Sequence, residues 1–189
     1  MIILFKINNR MNLVLDFLFK KYLIFVKGFD IGKNCRISRR VSFSGIYGNV
    51  RIGENCVIEP NVRFKAAKSN INKKFVINIK SNVFIGYGTI IDANSYIEIG
   101  KNSMIGPYVL ISDGNHILKE KNVPIASQGG NFKETIIEEN VWIGCQSQVL
   151  MGVRLGSNSI VAANSTVVKS MDGSSLIVGT PAKIKKNIF

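Results

Sequence analysis

The sequence predicts an all-β solenoid, a parallel β-helix of stacked coils, and three observations predict it. From Ile31 onward an aliphatic residue recurs at six-residue intervals, usually followed by a small or acidic residue. Asparagine recurs more slowly, three places after the aliphatic that opens each group of units, at Asn34, Asn55, Asn82, Asn102, Asn140 and Asn158. Between Ile31 and Val168 the 3.6-residue period of an amphipathic helix is absent.

Each six-residue unit supplies one short strand and one corner. Ile31-Gly32 leads to Cys35, Ile52-Gly53 to Cys56, Ile85-Gly86 to Thr89, Ile99-Gly100 to Ser103, Ile143-Gly144 to Ser147 and Leu155-Gly156 to Ser159. The aliphatic points inward and the residue four places on is small or β-branched, as a tight interior slot requires. Asparagine tolerates the left-handed backbone region and suits a sharp turn. Successive asparagines stand 21, 27, 20, 38 and 18 residues apart. The shortest interval is three units, so a coil has three strands and three corners. The excess over 18 gives insertions of 3, 9, 2, 20 and 0 residues. Six coils follow, at 31–48, 52–69, 79–96, 99–116, 137–154 and 155–172. One coil cannot bury its own apolar row, but stacked coils enclose a continuous core.

The chain divides into an N-terminal helical segment (1–30), the β-helix (31–172) with an inserted loop at 113–136, and a C-terminal tail (173–189). The segment from Leu13 to Val26 is mostly apolar but carries Asp16, Lys20 and Lys21. It is too short and too charged to span a bilayer, and it lacks the small-residue cleavage site of a signal peptide. A helix with apolar residues almost all round must be covered. Either it packs on the coils, or it rests on a membrane surface through Phe17, Phe19 and Phe25, helped by Lys20, Lys21 and Lys27.

The 189 residues suffice for one domain. The 25 Lys+Arg outnumber 12 Asp+Glu, for a formal charge of +13. Such a field attracts nucleic acid, anionic lipid, a phosphorylated cofactor or an acidic polysaccharide, or it serves solubility alone. No nucleic-acid-binding motif accompanies it, so a nucleic-acid partner is not expected. Three cysteines without CxxC spacing read as free thiols in a reducing, cytoplasmic compartment. Cys35 and Cys56 occupy tight inward slots and read as core residues. One histidine and no cysteine pair argue against a metal site.

The last third carries the most specific text: Val141-Trp142-Ile143-Gly144, Gly152-Val153-Arg154-Leu155-Gly156 and Gly179-Thr180-Pro181-Ala182-Lys183. With the six-residue period, it resembles the hexapeptide-repeat acyltransferases, over about residues 31–186. Among their branches it looks most like bacterial sugar and polysaccharide O-acetyltransferases and the related antibiotic acetyltransferases. The resemblance implies a left-handed coil, although parallel crossovers are generally right-handed. It also implies a homotrimer with sites between subunits, and acetyl-CoA as acyl donor.

The 20-residue insertion contains Ser112-Asp113-Gly114-Asn115-His116, with Pro124-Ile125 downstream, and both match the family. By resemblance His116 is the catalytic base that deprotonates the acceptor; imidazole titrates near the working pH. The alternative is an incidental loop histidine. Asp113 and Asn115 are expected beside the acceptor, with Asp113 or a backbone carbonyl orienting the ring, or Asp113 serving only the turn. Trp142 falls on an outward slot, and the resemblance places it against the acceptor or thioester, or beneath the loop. A backbone N–H near Gly144 or Cys145 is the candidate for stabilising the oxyanion. The resemblance also gives Gly144, Cys145 and Ala163 to the pantetheine arm, and Lys169, Lys183 and Lys186 to the nucleotide end, unless these lysines are simply a solvated tail. The chain departs from the family text at Ala163-Asn164-Ser165, where Ala-Gly-Ser is usual, and at Val168, often threonine.

The expected function is acetyl-CoA-dependent O-acetylation of a sugar or surface-polysaccharide hydroxyl, with a carbohydrate acceptor that the charge suggests is anionic. N-acylation of a nucleotide amino sugar, antibiotic acetylation and a non-enzymatic β-helix scaffold are the alternatives.

Overall fold

The computed structural model describes residues 2–45, 49–66 and 74–188. A helix, α1 (Ile2–Phe25), precedes the coils. The first coil is β1 (Asp30–Ile31), β2 (Arg36–Ile37) and β3 (Ser42–Ser44), and the second is β4 (Val50–Ile52), β5 (Val57–Ile58) and β6 (Arg63–Ala66). The third comprises β7 (Ile77–Ile79), β8 (Phe84–Ile85) and β9 (Ile90–Ala93), and the fourth β10 (Ile97–Ile99), β11 (Met104–Ile105) and β12 (Leu110–Ser112). An excursion then carries β13 (Gly114–His116) and β14 (Gly130–Phe132). The fifth coil is β15 (Thr135–Ile137), β16 (Trp142–Ile143) and β17 (Gln148–Val149). The sixth is β18 (Arg154–Leu155), β19 (Ile160–Val161) and β20 (Thr166–Val167).

Successive coils stack strand on strand into three parallel faces, β1-β4-β7-β10-β15-β18, β2-β5-β8-β11-β16-β19 and β3-β6-β9-β12-β17-β20. The solenoid is left-handed. The right-handed rule rests on a crossover packing back over a long twisted strand, and here short corners join strands of two to four residues.

Each face contributes an interior column in register. Ile52, Ile79, Ile99, Ile137 and Leu155 form one; Ile58, Ile85, Ile105, Ile143 and Val161 form the second; Phe43, Phe64, Ile91, Ile111, Val149 and Val167 form the third. All are buried except Phe43, which is partly so. All six marker asparagines adopt φ between 54° and 61°. Their amides bond along the edge: Asn34 Nδ2 to Asn55 Oδ1 (3.2 Å), Asn55 to Asn82 (3.1 Å), Asn82 to Asn102 (2.9 Å) and Asn140 to Asn158 (2.8 Å).

The next residue fills the small slot and donates to a carbonyl of the following coil. Cys56 Sγ reaches Lys80 O (3.1 Å) and Ser103 Oγ reaches Glu138 O (3.1 Å), so cysteine and serine do the same task. Glycine after the aliphatic answers a close approach: a Cβ on Gly53 would lie 2.6 Å from the Lys80 carbonyl carbon.

The insertions of 3, 9, 2 and 20 residues all leave from one corner, between a third-face strand and the next first-face strand. The first two fall largely outside the described residues. At the C-terminus, the expected tail is a hairpin of β21 (Ser175–Gly179) and β22 (Ala182–Asn187), and β21 continues the second face beside β19. At the other end α1 packs on the coils with a face the periodicity did not choose. Asp16 Oδ1 accepts the Arg39 N–H (2.8 Å), Arg39 Nη2 donates to Asn12 Oδ1 (3.1 Å) and Lys20 Nζ to Gly32 O (3.2 Å). Leu23 is buried and Phe19 packs against the core, so Phe19 and Lys20 point inward rather than toward any external surface. Among the described residues no helix is long and apolar enough to cross a membrane.

Candidate active site

The excursion after β12 is anchored at both ends. Asp113 is buried, and its carboxylate accepts the backbone N–H groups of Asn94 (2.7 Å) and Ser95 (2.6 Å). Burial pushes its pKa up, and these donors oppose the shift. On the return, Thr135 Oγ1 donates to Ser112 O (3.0 Å). Between the anchors β13 and β14 pair antiparallel, setting His116 opposite Gly130. Gln128 knits the tip: its Oε1 accepts from Lys119 N (2.7 Å) and Glu120 N (3.0 Å), and its Nε2 donates to Val123 O (2.8 Å). A rigid excursion therefore presents His116.

His116 is exposed, and its backbone N–H donates to Asn115 Oδ1 (2.9 Å). Its imidazole makes no hydrogen bond among the described residues, so both ring nitrogens are open to a substrate. His116 and Asn115 line a cleft of about 580 Å³ with Lys65, Asp92, Asn94, Ser112 and Phe132. Lys65 Nζ and Asp92 Oδ2 pair across it at 2.8 Å. Sequence reasoning missed these walls, although a signal existed. Ser44, Lys65, Asp92 and Ser112 each stand ten residues after a marker asparagine and stack in register. Asp113 does not line the cleft: its carboxylate is sealed into the corner by the Asn94 and Ser95 N–H groups, the arrangement expected of the turn-holding alternative.

The remaining expected residues lie elsewhere. Trp142 stands half-exposed on the second face between Met104 and Ile160 of neighbouring strands, and it does not line the cleft. Gly144, Cys145 and Ala163 share the corner between the second and third faces in consecutive coils, with Asn164 N donating to Cys145 O (3.0 Å). The Gly144 N–H is spent on Val161 O (2.8 Å), which removes it as an oxyanion donor. The N–H groups of Cys145 and Ala163 have no acceptor among the described residues, and Cys145 is exposed and free. Lys183 and Lys186 sit on β22, opposite Val178 and Leu176, and Lys169 is exposed just beyond β20. One chain thus carries the imidazole at the insertion corner. Trp142 and the unpaired N–H groups lie across the third face from it. Among the described residues no three His, Cys, Asp or Glu side chains cluster as metal ligands would.

Comparison with known proteins agrees with this architecture. Residues 134–169 match the model of the bacterial transferase hexapeptide, six repeats. The chain is similar to the galactoside O-acetyltransferase of Lactococcus lactis subsp. lactis (strain IL1403), 36% identical over 138 residues, covering 72% of this chain and 62% of that protein. It is also similar to the proposed lipopolysaccharide-biosynthesis O-acetyltransferase WbbJ of Escherichia coli (strain K12), 29% identical over 161 residues, covering 82% and 80%. Among solved structures, the fold matches AntD, an N-acyltransferase from Bacillus cereus in complex with dTDP-4-amino-4,6-dideoxyglucose and coenzyme A. That match has a TM-score of 0.76 at 23% identity and covers 89% of this chain and 88% of the other. A maltose O-acetyltransferase from Clostridium difficile 630 matches with a TM-score of 0.61 at 25% identity, over 90% and 75%. The chain spans less than two thirds of the Lactococcus relative but four fifths of WbbJ. The stacked coils, the matched repeats and these relatives together make the chain a member of the hexapeptide-repeat family of bacterial transferases.

Proposed function

We propose that the protein is an acetyltransferase that moves an acetyl group from acetyl-CoA to a sugar hydroxyl, with His116 as general base. The observation that carries it is an imidazole without a hydrogen-bond partner among the described residues, held by a braced excursion at the mouth of a polar cleft. His116 takes the proton of the acceptor hydroxyl as its oxygen attacks the thioester carbonyl, then returns it to the departing CoA sulfur. The Cys145 N–H is the candidate donor to the tetrahedral oxyanion. Cys145 and Ala163 offer backbone donors at the corner between the second and third faces, Lys183 and Lys186 lie on β22 at the end of the second face, and Lys169 follows β20; an extended, phosphate-bearing donor is proposed to run from the backbone donors toward these cations. Trp142 flanks that track, and Asn115 faces the acceptor.

His116 and this track lie on different edges of one prism. The proposed assembly is therefore a homotrimer in which the excursion of one copy reaches the track of the next. O-acylation is favoured over N-acylation because the Lactococcus and Escherichia relatives are named for O-acetyl transfer. The acceptor is proposed to be anionic, a surface polysaccharide or its precursor, and the setting the cytoplasm or the inner face of its membrane.

Replacing His116 by alanine should lower turnover by roughly two to four orders of magnitude. Acetyl-CoA affinity, particle mass and circular dichroism should be unchanged, because the exposed ring makes no hydrogen bond among the described residues. Near-normal turnover on the best sugar acceptor would sink the assignment, and full activity on a nucleotide amino sugar alone would shift it to N-acylation. Trp142→Ala should slow transfer less steeply.

A further inference from the structure

Helix α1 packs on the coils through Phe19 and Leu23 together with its polar residues, and leaves a second apolar stripe to solvent. Asn12, Asp16 and Lys20 turn toward the coils and find partners there. Val14, Phe17, Leu18 and Phe25 lie on the opposite side, 55–76% exposed, and Val26 continues the surface beyond the last turn. At 3.6 residues per turn, residues 14, 17, 18, 21 and 25 fall within an arc of about 100°. A contiguous apolar stripe of this kind marks a contact surface rather than a scatter of surface residues.

The charges select the contact. Lys21 sits in the middle of the stripe, its Nζ 5.6 Å from the Phe17 ring centre and 5.4 Å from that of Phe25. Lysine is depleted from the cores of protein–protein interfaces, where an unpaired ammonium costs too much. At a lipid–water boundary the same arrangement is favourable: the rings enter the acyl region while the lysine stem lies along them and lifts its amine to the phosphates. Asp16 is the only acidic residue before Asp30, and Arg39 holds it on the inner side. Lys27 lies at the end of the helix, and the whole chain carries +13. We infer that α1 lies flat on the surface of an anionic phospholipid bilayer, with Phe17, Leu18 and Phe25 inserted and Lys21 at the headgroup level. This inference stands apart from the acyl-transfer reading.

The test is sedimentation of the full-length protein with extruded vesicles of phosphatidylcholine, with and without about one third phosphatidylglycerol. The wild type should pellet with the anionic vesicles, be released by high salt, and stay in solution with phosphatidylcholine alone. The double variant Phe17→Ser/Phe25→Ser should bind anionic vesicles at least roughly ten-fold more weakly, with unchanged circular dichroism and sedimentation coefficient. Lys21→Glu, a change at an exposed position that keeps every apolar residue of the stripe, should weaken binding as well and decides the matter if the double variant misfolds. Three results would each overturn the inference. These are the wild type remaining in the supernatant with anionic vesicles, the variants binding as the wild type does, and the double variant falling apart into a smaller particle, which would assign the stripe to a second copy of the chain.

Discussion

Asparagine turns the first corner of every coil because its short amide makes a positive φ tolerable and can also bond to its counterpart one coil away. Asn82 holds the middle of such a run, accepting from Asn55 and donating to Asn102. Asn82→Ala should cost about 1–2 kcal/mol from the strained backbone and the lost amide bonds. Asn82→Gly should cost less, since glycine restores the φ but not the ladder. Urea unfolding of the three proteins checks this, and an alanine variant as stable as the wild type would refute it. These corners were legible in the sequence because the residue type itself prefers the conformation. Tyr108 was not: it holds φ 56° with its ring over Gly88 and edge-on to Tyr87 at 5.5 Å. Nothing in a tyrosine announces a left-handed turn; the stacking of coils imposes it. His116 was legible as the lone imidazole in the longest insertion. Lys65 and Asp92 were not, because an outward slot has no residue preference and becomes a cleft wall only through register.

At the scale of elements, the six-residue period revealed the strands, but it could not orient α1. A helix apolar on nearly every side leaves its face to be chosen by particular partners, here Arg39 and the Gly32 carbonyl, which lie outside the helix. The order of the tail was hidden for a similar reason. Lys183, Lys185 and Lys186 are exposed, as a solvated tail would have them, yet they belong to a hairpin whose pairing with β21 supplies the order. The excursion depends on one buried carboxylate. Asp113→Ala leaves the N–H groups of Asn94 and Ser95 without acceptors, at a cost of about 1–3 kcal/mol for such buried donors. Limited proteolysis should then cut faster between residues 113 and 134. Turnover should fall roughly ten- to hundred-fold through misplacement of His116, while acetyl-CoA affinity holds. Asp113→Asn keeps one acceptor oxygen and should recover part of both properties. Equal proteolysis of all three proteins would mean that the carboxylate anchors nothing.

At the scale of the whole molecule, charge bears on the choice of acceptor. A phosphate-bearing donor needs only a few cations, whereas the chain carries an excess of thirteen. Part of that excess lies near the proposed site: Arg40 and Arg63 border the start of the third face, and Lys65 lies in the His116 cleft, where Asp92 balances it. Three copies around an axis would superpose their fields, and clefts between low-dielectric walls focus such a field on whatever enters. An acidic glycan or nucleotide-linked sugar would be drawn in, and a neutral sugar would not. Raising ionic strength from about 50 mM to about 500 mM shortens the reach of exposed charges from above about 10 Å to about 4 Å. With acetyl-CoA held saturating, the KM for an acidic acceptor should therefore climb steeply across this range while kcat changes little. A neutral galactoside should remain a poor substrate with a flat response, which separates acceptor attraction from any effect of salt on the donor or the fold. If a neutral sugar proved the best acceptor, with KM indifferent to salt, the acceptor would be uncharged and the basic surface would belong to the membrane contact instead.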